Sequence, residues 1–254
     1  MQVLSSAAST ICLSPIVAED IFWVLGRLSR SYFFADVRDY SNPPTAIISQ
    51  YGSTANGAQV IEFIIQAIRR NFELWKGEEG ILTSMINFLH NCTTVKELEL
   101  HIIQSQSFVA LMSYFLDSLS SLPDSIHQSL IRTMTMMVTN SPDINLSLSM
   151  LQKITQEIHN RFVALVQRKD FTAVYQTPEV FYAVTSTLEM FTGLCMANTY
   201  STSKFMMAFM KPHLPDFIKL LQLYRSVSEA EIYVLELFVS LVKYQVCIHS
   251  LSEV

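Results

Sequence analysis

The stretch from residue 57 to 75, followed after Gly77 by a second from 81 to 90, constrains this chain more than any other. Ile61, Ile64, Ile65, Ile68, Phe72 and Trp75 recur at the i, i+3, i+4, i+7 spacing of one helix face, and Val60, Phe63 and Ala67 widen it. Gln59, Glu62, Gln66, Arg69 and Glu73 leave a single narrow polar edge. A helix so patterned needs apolar neighbours on both sides of that edge. Gly77 stands where a left-handed C-terminal cap belongs, so the two stretches read as an antiparallel helical hairpin. Its recurrence along the chain decides the fold.

Half of the 254 residues are hydrophobic and only 15% are charged, against about 25% in an average soluble domain. Much surface must therefore be buried. The mean hydropathy of +0.30 raises the question of a membrane, but no run reaches the ~18 apolar residues of a spanning helix. Residues 102–116 come nearest, and Gln104, Ser105, Gln106, Ser107 and Ser113 interrupt them. Residues 1–13 have neither the basic start nor the apolar core of a signal peptide. These features predict a soluble protein with no targeting segment and no membrane insertion. Six glycines, eight prolines and few β-branched alternations leave little material for strands, which predicts an all-α fold. Cys12, Cys92, Cys195 and Cys247 lie far apart without a C-x-x-C pair and read as reduced, mostly buried thiols.

The first hairpin, over residues 57–91, is not alone. Before it, Ser14-Pro15 opens a helix over residues 15–36, through Phe22, Trp23, Leu25, Leu28, Tyr32 and Phe33, with no hairpin partner preceding it. Residues 38–56, with Pro43, Pro44 and Gly52, read as a long loop. A capping box of Thr94 and Glu97 starts the second hairpin, 95–140, which Pro123 divides. Ser141-Pro142-Asp143 starts the third, 142–198, and Thr177-Pro178-Glu179 opens its second helix. In the fourth, 202–249, Pro212 and Pro215 break the first helix. Ser226 or Ser228, with Glu229 or Glu231, caps a second helix that is apolar apart from Glu236, Ser240 and Lys243. What repeats is a moderately amphipathic helix, a loop and a more apolar helix. Units that cannot bury their faces alone stack, which predicts one α-solenoid of HEAT-type antiparallel helical hairpins over residues 1–254. A closed bundle of eight or nine helices is the competing architecture.

No reactive constellation accompanies this scaffold. The chain has no G-x-S-x-G elbow, no phosphate-cradling glycine run and no H-E-x-x-H. His90 with Cys92, and Cys247 with His249, lack a second ligand pair at zinc spacing. Glu78 and Glu79 are adjacent and diverge on a helix, which suits a solvated first turn better than an acid/base couple. The sequence therefore assigns no catalytic, cofactor-binding or metal-binding residue, and predicts a protein that is not an enzyme. Seventeen basic and twenty-two acidic residues give a net charge of −5, and the only basic doublets are Arg69-Arg70 and Arg168-Lys169, which argues against nucleic acid. The methionines clustered at 134–137 and 206–210 read as core filling in preference to an adaptable groove. Periodicity and spacing lead as far as a helical scaffold that binds protein.

Specific stretches then carry a resemblance. Asp20-Ile-Phe-Trp-Val-Leu-Gly-Arg27 with Ser31-Tyr-Phe33, the helix of residues 57–75, and His127-Gln-Ser-Leu130 are its first parts. Asn160-Arg-Phe162 within residues 157–171, Ser186-Thr-Leu-Glu-Met-Phe-Thr-Gly-Leu194, Glu236-Leu-Phe-Val239 and Gln245-Val-Cys247 follow in order. From about Ile16 onward the chain resembles the exportins, nuclear export receptors of the importin-β or karyopherin superfamily. The resemblance implies HEAT-type hairpins and a shuttling protein of nucleus and cytoplasm. It also implies binding of protein cargo together with GTP-bound Ran, contact with nuclear pore proteins, and release of cargo after GTP hydrolysis. One cargo of such receptors is the hypusine-bearing translation factor, whose basic surface suits an acidic receptor. Exportins are several times longer, so the chain is expected to correspond to an internal segment. The repeats that first grip Ran and those that curl round cargo would lie outside it. Within it, Glu179, Ser186, Glu189, Glu236 and Lys243 are expected on the concave side. A helical-repeat scaffold outside nuclear transport is the alternative function.

Overall fold

A computed structural model describes residues 14–28, 55–93, 102–141, 143–199, 201–225 and 227–249. Its elements are α1 (Pro15–Leu28), α2 (Ala55–Leu74), α3 (Glu79–Cys92), α4 (Phe108–Ser118), α5 (His127–Thr139) and α6 (Ile144–Val166). They continue with the single turn α7 (Phe171–Val174), then α8 (Pro178–Met196), α9 (Ser203–Met210), α10 (Leu214–Leu223) and α11 (Ser228–His249). Short 3-10 turns occupy Leu119–Ser121, Asp124–Ile126 and Lys211–His213. The fold is all-α, of the hairpin-built α-solenoid class. Cys12, Tyr32, Phe33, residues 38–54, the box of Thr94 and Glu97, and Ser226 lie outside the described residues, as do the side chains of Ser228 and Cys247. The chain divides into two compact units, residues 1–126 and 127–254.

In the first unit, the Ser14 carbonyl accepts the N–H groups of Val17 and Ala18 at 3.0 and 3.1 Å, and Pro15 takes a first-turn position where its missing N–H costs nothing. Ala18 and Phe22 are buried on one side of α1, which packs on α3. Helix α1, expected from the sequence to lack a hairpin partner, finds a neighbour in α3, whose Ile81, Leu82, Met85, Ile86 and Leu89 are buried in turn. A further pairing joins α2 to α4, where the Phe72 and Phe115 rings meet edge-on with centroids 4.7 Å apart.

The polar edge of α2 is solvated at Gln59, Gln66, Arg69 and Glu73. Glu62 departs from it. Its carboxylate accepts hydrogen bonds from the hydroxyls of Ser105 and Ser107 and from Gln66 Nε2. Burial alone would raise its pKa, but these bonds hold the carboxyl down at about 2. Gly77 corrects an expectation: it is not in the left-handed region. The connection closes instead through right-handed turn bonds, Trp75 N–H to the Asn71 carbonyl and Glu78 N–H to the Trp75 carbonyl, so α3 starts at Glu79.

In the second unit, α8 packs against α5, α6 and α11. Thr177 and Pro178 start it at the expected place, although the Thr177 hydroxyl turns back to the Val174 carbonyl and does not cap the helix. The start of α6 also differs from expectation. Asp143 is the cap, accepting the N–H groups of Asn145 and Leu146 at 3.0 and 3.1 Å, so the acid satisfies orphan donors directly. Pro212 breaks the α9–α10 segment as expected, whereas Pro215 sits harmlessly in the first turn of α10. Phe162, Phe191 and Phe217 are buried against one another with ring centroids 5.0–5.3 Å apart. Tyr224 donates its hydroxyl to the Tyr175 carbonyl at 2.7 Å, and burial pushes its phenol up to about 12.

Candidate protein-binding surfaces

The second helices of the hairpins show which faces are spent on packing and which remain open. On α8, buried residues run almost all round: Val184, Leu188, Phe191, Leu194 and Cys195 with Thr185, Ser186, Thr187, Thr192 and Gly193 between them. The hydroxyls go inside because the helix backbone itself accepts them. Thr187 donates to the Ala183 carbonyl at 2.7 Å and Thr192 to the Leu188 carbonyl at 3.0 Å, the i−4 pattern that lets a polar residue enter a core. Ser186 pairs with buried His127 of α5, Oγ to Nδ1 at 2.7 Å. Ser186 is therefore not on any surface, which removes it from the polar stripe expected of α8. Sequence reading treated it as polar and hence outward, and no spacing in the sequence marks its pairing with His127, 59 residues away.

Gly193 sets how closely α5 and α8 approach. A Cβ placed there would lie 2.3 Å from the Gln128 carbonyl oxygen and 3.3 Å from the Arg132 nitrogen. Only glycine permits that contact.

Across α8 lies α11. Tyr233 feels the charge of Glu189, and Asn198 Nδ2 donates to the Tyr244 carbonyl at 3.4 Å. Both pairs advance in the same direction, so the two helices run parallel. Ala230, Val234, Leu237 and Leu241 of α11 are buried at i, i+4, i+7, i+11 spacing. Ile232, Leu235, Val239 and Val242 form a second stripe and are 45–63% exposed. Four aliphatic residues in one bare stripe make a surface suited to another helix. Glu236 and Lys243 are exposed beside it and Glu189 is half-buried, while Glu179 is exposed at the start of α8. Glu189, Glu229 and Glu236 stand in the neighbourhood of Tyr233, whose phenol is raised first by burial and then by these acids.

The ionisable groups inside the molecule serve packing. Burial pushes the thiols of Cys92 and Cys195 up to about 12, which keeps them protonated and poor nucleophiles. His213 lies among Phe162, Phe191 and Phe209 with its Nε2 3.3 Å from Nδ1 of His159. Among the described residues His, Cys, Asp and Glu nowhere gather in threes as a metal ion would need, and no described helix is long and apolar enough to cross a membrane.

The arrangement is thus one of helix faces, and comparison with known proteins gives them a context. The family model of Exportin-4 matches residues 2–252. The chain belongs to the Exportin-4 family. Exportin-4 of Dictyostelium discoideum is 22% identical to it over 240 residues, which make up 92% of this chain and 21% of that relative. The chain accordingly spans about a fifth of the length of the Exportin-4 it matches.

Proposed function

We propose that the chain works as part of a nuclear export receptor that takes up protein cargo together with GTP-bound Ran in the nucleus and gives it up in the cytoplasm after GTP hydrolysis. The match to the Exportin-4 family along residues 2–252 carries this reading. Helix packing supports it. In a stack of hairpins each second helix has a neighbour on both sides, as α8 has in α5 and α11. The bare stripe of α11 is where the next second helix of a longer receptor docks.

A superhelix held by nearest-neighbour contacts bends at modest cost. If Ran and cargo favour the same curvature, each raises the affinity of the other by an equal factor. Glu179, Glu189, Glu236 and Lys243 supply polar contacts on the face that meets Ran or cargo, and the net charge of −5 suits a basic cargo. Passage between nucleus and cytoplasm would use contacts with nuclear pore proteins.

The test is capture of the native protein from nuclear extract in the presence of Ran loaded with either a non-hydrolysable GTP analogue or GDP. Cargo is expected to be retained with the GTP form alone. Equal recovery with both forms would replace the export reading with a helical scaffold outside nuclear transport. Charge reversal at Glu189 and Glu236 in the same capture tests the assigned face, and unchanged recovery of both Ran and cargo would take these acids out of it.

A further inference from the structure

A cleft of about 140 Å3 opens between α1 and α3. From α1 come Phe22, Trp23, Gly26 and Arg27, and from α3 the polar stripe of Ser84, Asn87 and Asn91 at i, i+3, i+7 spacing. Phe22 is fully buried and forms the floor. Gly26 keeps the space free, since a Cβ built on it meets nothing within 4 Å. Trp23 is 55% exposed, and the Arg27 guanidinium carbon lies 5.1 Å from its ring centroid, held over the indole face.

The charges in this corner are unevenly used. Among the described residues Arg27 makes no ion pair and no carboxylate lines the cleft. Glu19, on the same helix, is engaged elsewhere: its carboxylate lies against Gly80 at the start of α3, where the helix dipole favours an anion. In a chain of net charge −5, the cleft thus carries one cation with no counter-charge among the described residues. Asn87 is exposed, and its amide offers a donor and an acceptor side by side, the complement of a peptide group. The volume accommodates one aliphatic side chain, well short of the ~300 Å3 of a typical small-molecule pocket.

We propose that this cleft binds an extended acidic peptide. A carboxylate of the peptide takes the two-pronged Arg27 guanidinium, a backbone amide pairs with Asn87, and one leucine-sized side chain enters between Trp23 and Gly26 onto Phe22. A free anion such as phosphate would use Arg27 but leave the apolar floor and the indole uncovered, so the peptide fits more of the site. The inference does not rest on the export reading, since a receptor and a scaffold would use such a surface alike.

The two tryptophans of the chain, Trp23 and Trp75, allow a direct test by fluorine NMR on the 5-fluorotryptophan-labelled protein, with Trp75→Phe used only to assign the signals. The probe is the pentapeptide acetyl-EDLDE-amide, with acetyl-KNLNK-amide as its charge-reversed counterpart. The acidic peptide is expected to shift the Trp23 signal saturably, at concentrations up to about 1 mM for so small a contact, and to leave Trp75 unmoved. Arg27→Gln should weaken binding about tenfold or more, the usual effect of losing a charge-assisted pair. Gly26→Leu, whose side chain enters open space, should abolish it while the unfolding transition is unchanged or raised. An unmoved Trp23 signal, equal binding of the basic peptide, or undiminished binding by both variants would overturn the proposal. So would a Trp23 shift that depends on protein concentration alone, which would assign the cleft to a second copy of the chain.

Discussion

Helices α8 and α11 have nearly the same character in sequence and opposite situations in the structure. Both are long, apolar second helices with a few scattered polar residues. On α8 almost every residue between Val184 and Cys195 is buried, because α5 lies on one side and α11 on another. On α11 one stripe, Ala230 to Leu241, is buried, and the other, Ile232 to Val242, is bare. The difference teaches that all-round apolarity states what a helix requires of its surroundings; it does not reveal whether the requirement is met within the chain.

The sharpest way to break the comparison is to put the same charge into both helices. Leu188, fully buried on α8, has no route for a carboxylate to reach water. Leu188→Asp should cost about 4 kcal/mol or more and leave the second unit unfolded in chemical denaturation or circular dichroism.

Gly193→Ala tests the same helix from the backbone side. The added Cβ meets the Gln128 carbonyl at 2.3 Å, and that oxygen belongs to α5 and not to a flexible side-chain tip. The helices must separate, with an expected loss of about 2–3 kcal/mol. At Gly26, where a Cβ meets nothing, Gly→Ala should instead gain about 0.5–1 kcal/mol from helix propensity. Opposite signs in one pair of denaturation curves would confirm that Gly193 serves a close contact. Ser186→Ala is milder. It removes one buried hydrogen bond to His127, for an expected loss of about 1–2 kcal/mol.

Much of this was legible in advance, for a physical reason. Periodicity reports burial, so the amphipathic helix now seen at Ala55–Leu74 and the break at Pro212 could be read directly. Polar side chains that are satisfied by a helix's own carbonyls escaped, because Thr187 and Thr192 look the same in sequence whether they face water or donate to Ala183 and Leu188. Gly77 was misread because glycine permits the left-handed conformation without requiring it. The cleft of Trp23 and Arg27 could not be found from spacing at all, since its other wall is Asn87, sixty residues away on a helix that sequence paired elsewhere.

Protonation offers a gentler probe of α8's surroundings. Burial, and then the charge of His159, hold the His213 pKa below its ordinary 6.5, with Asp216 pulling weakly the other way. The folded state therefore binds its proton less readily than the unfolded state does. Stability is fully present above pH 6.5 and falls as the pH drops below that value toward the depressed folded pKa. The melting temperature should decline between pH 7.5 and 5.5, and His213→Phe should flatten that decline. A variant with the wild-type slope would show that His213 does not carry this pH dependence.

The smallest expected effect completes the comparison. Val239 is 63% exposed on the bare stripe of α11, so Val239→Asp gives up little buried area and places its charge in water. Its cost to the chain alone should stay within about 0.5 kcal/mol, against the collapse expected of Leu188→Asp. A large loss would mean that the stripe is already covered, and analytical ultracentrifugation would then find the chain self-associated through α11. A small loss in the chain, together with a loss of several kcal/mol when the same substitution is made in a full-length receptor, would identify the stripe as the seat of a further helix. The same aspartate thus measures, in the two settings, how much of α11's apolar character is answered inside these residues and how much outside them.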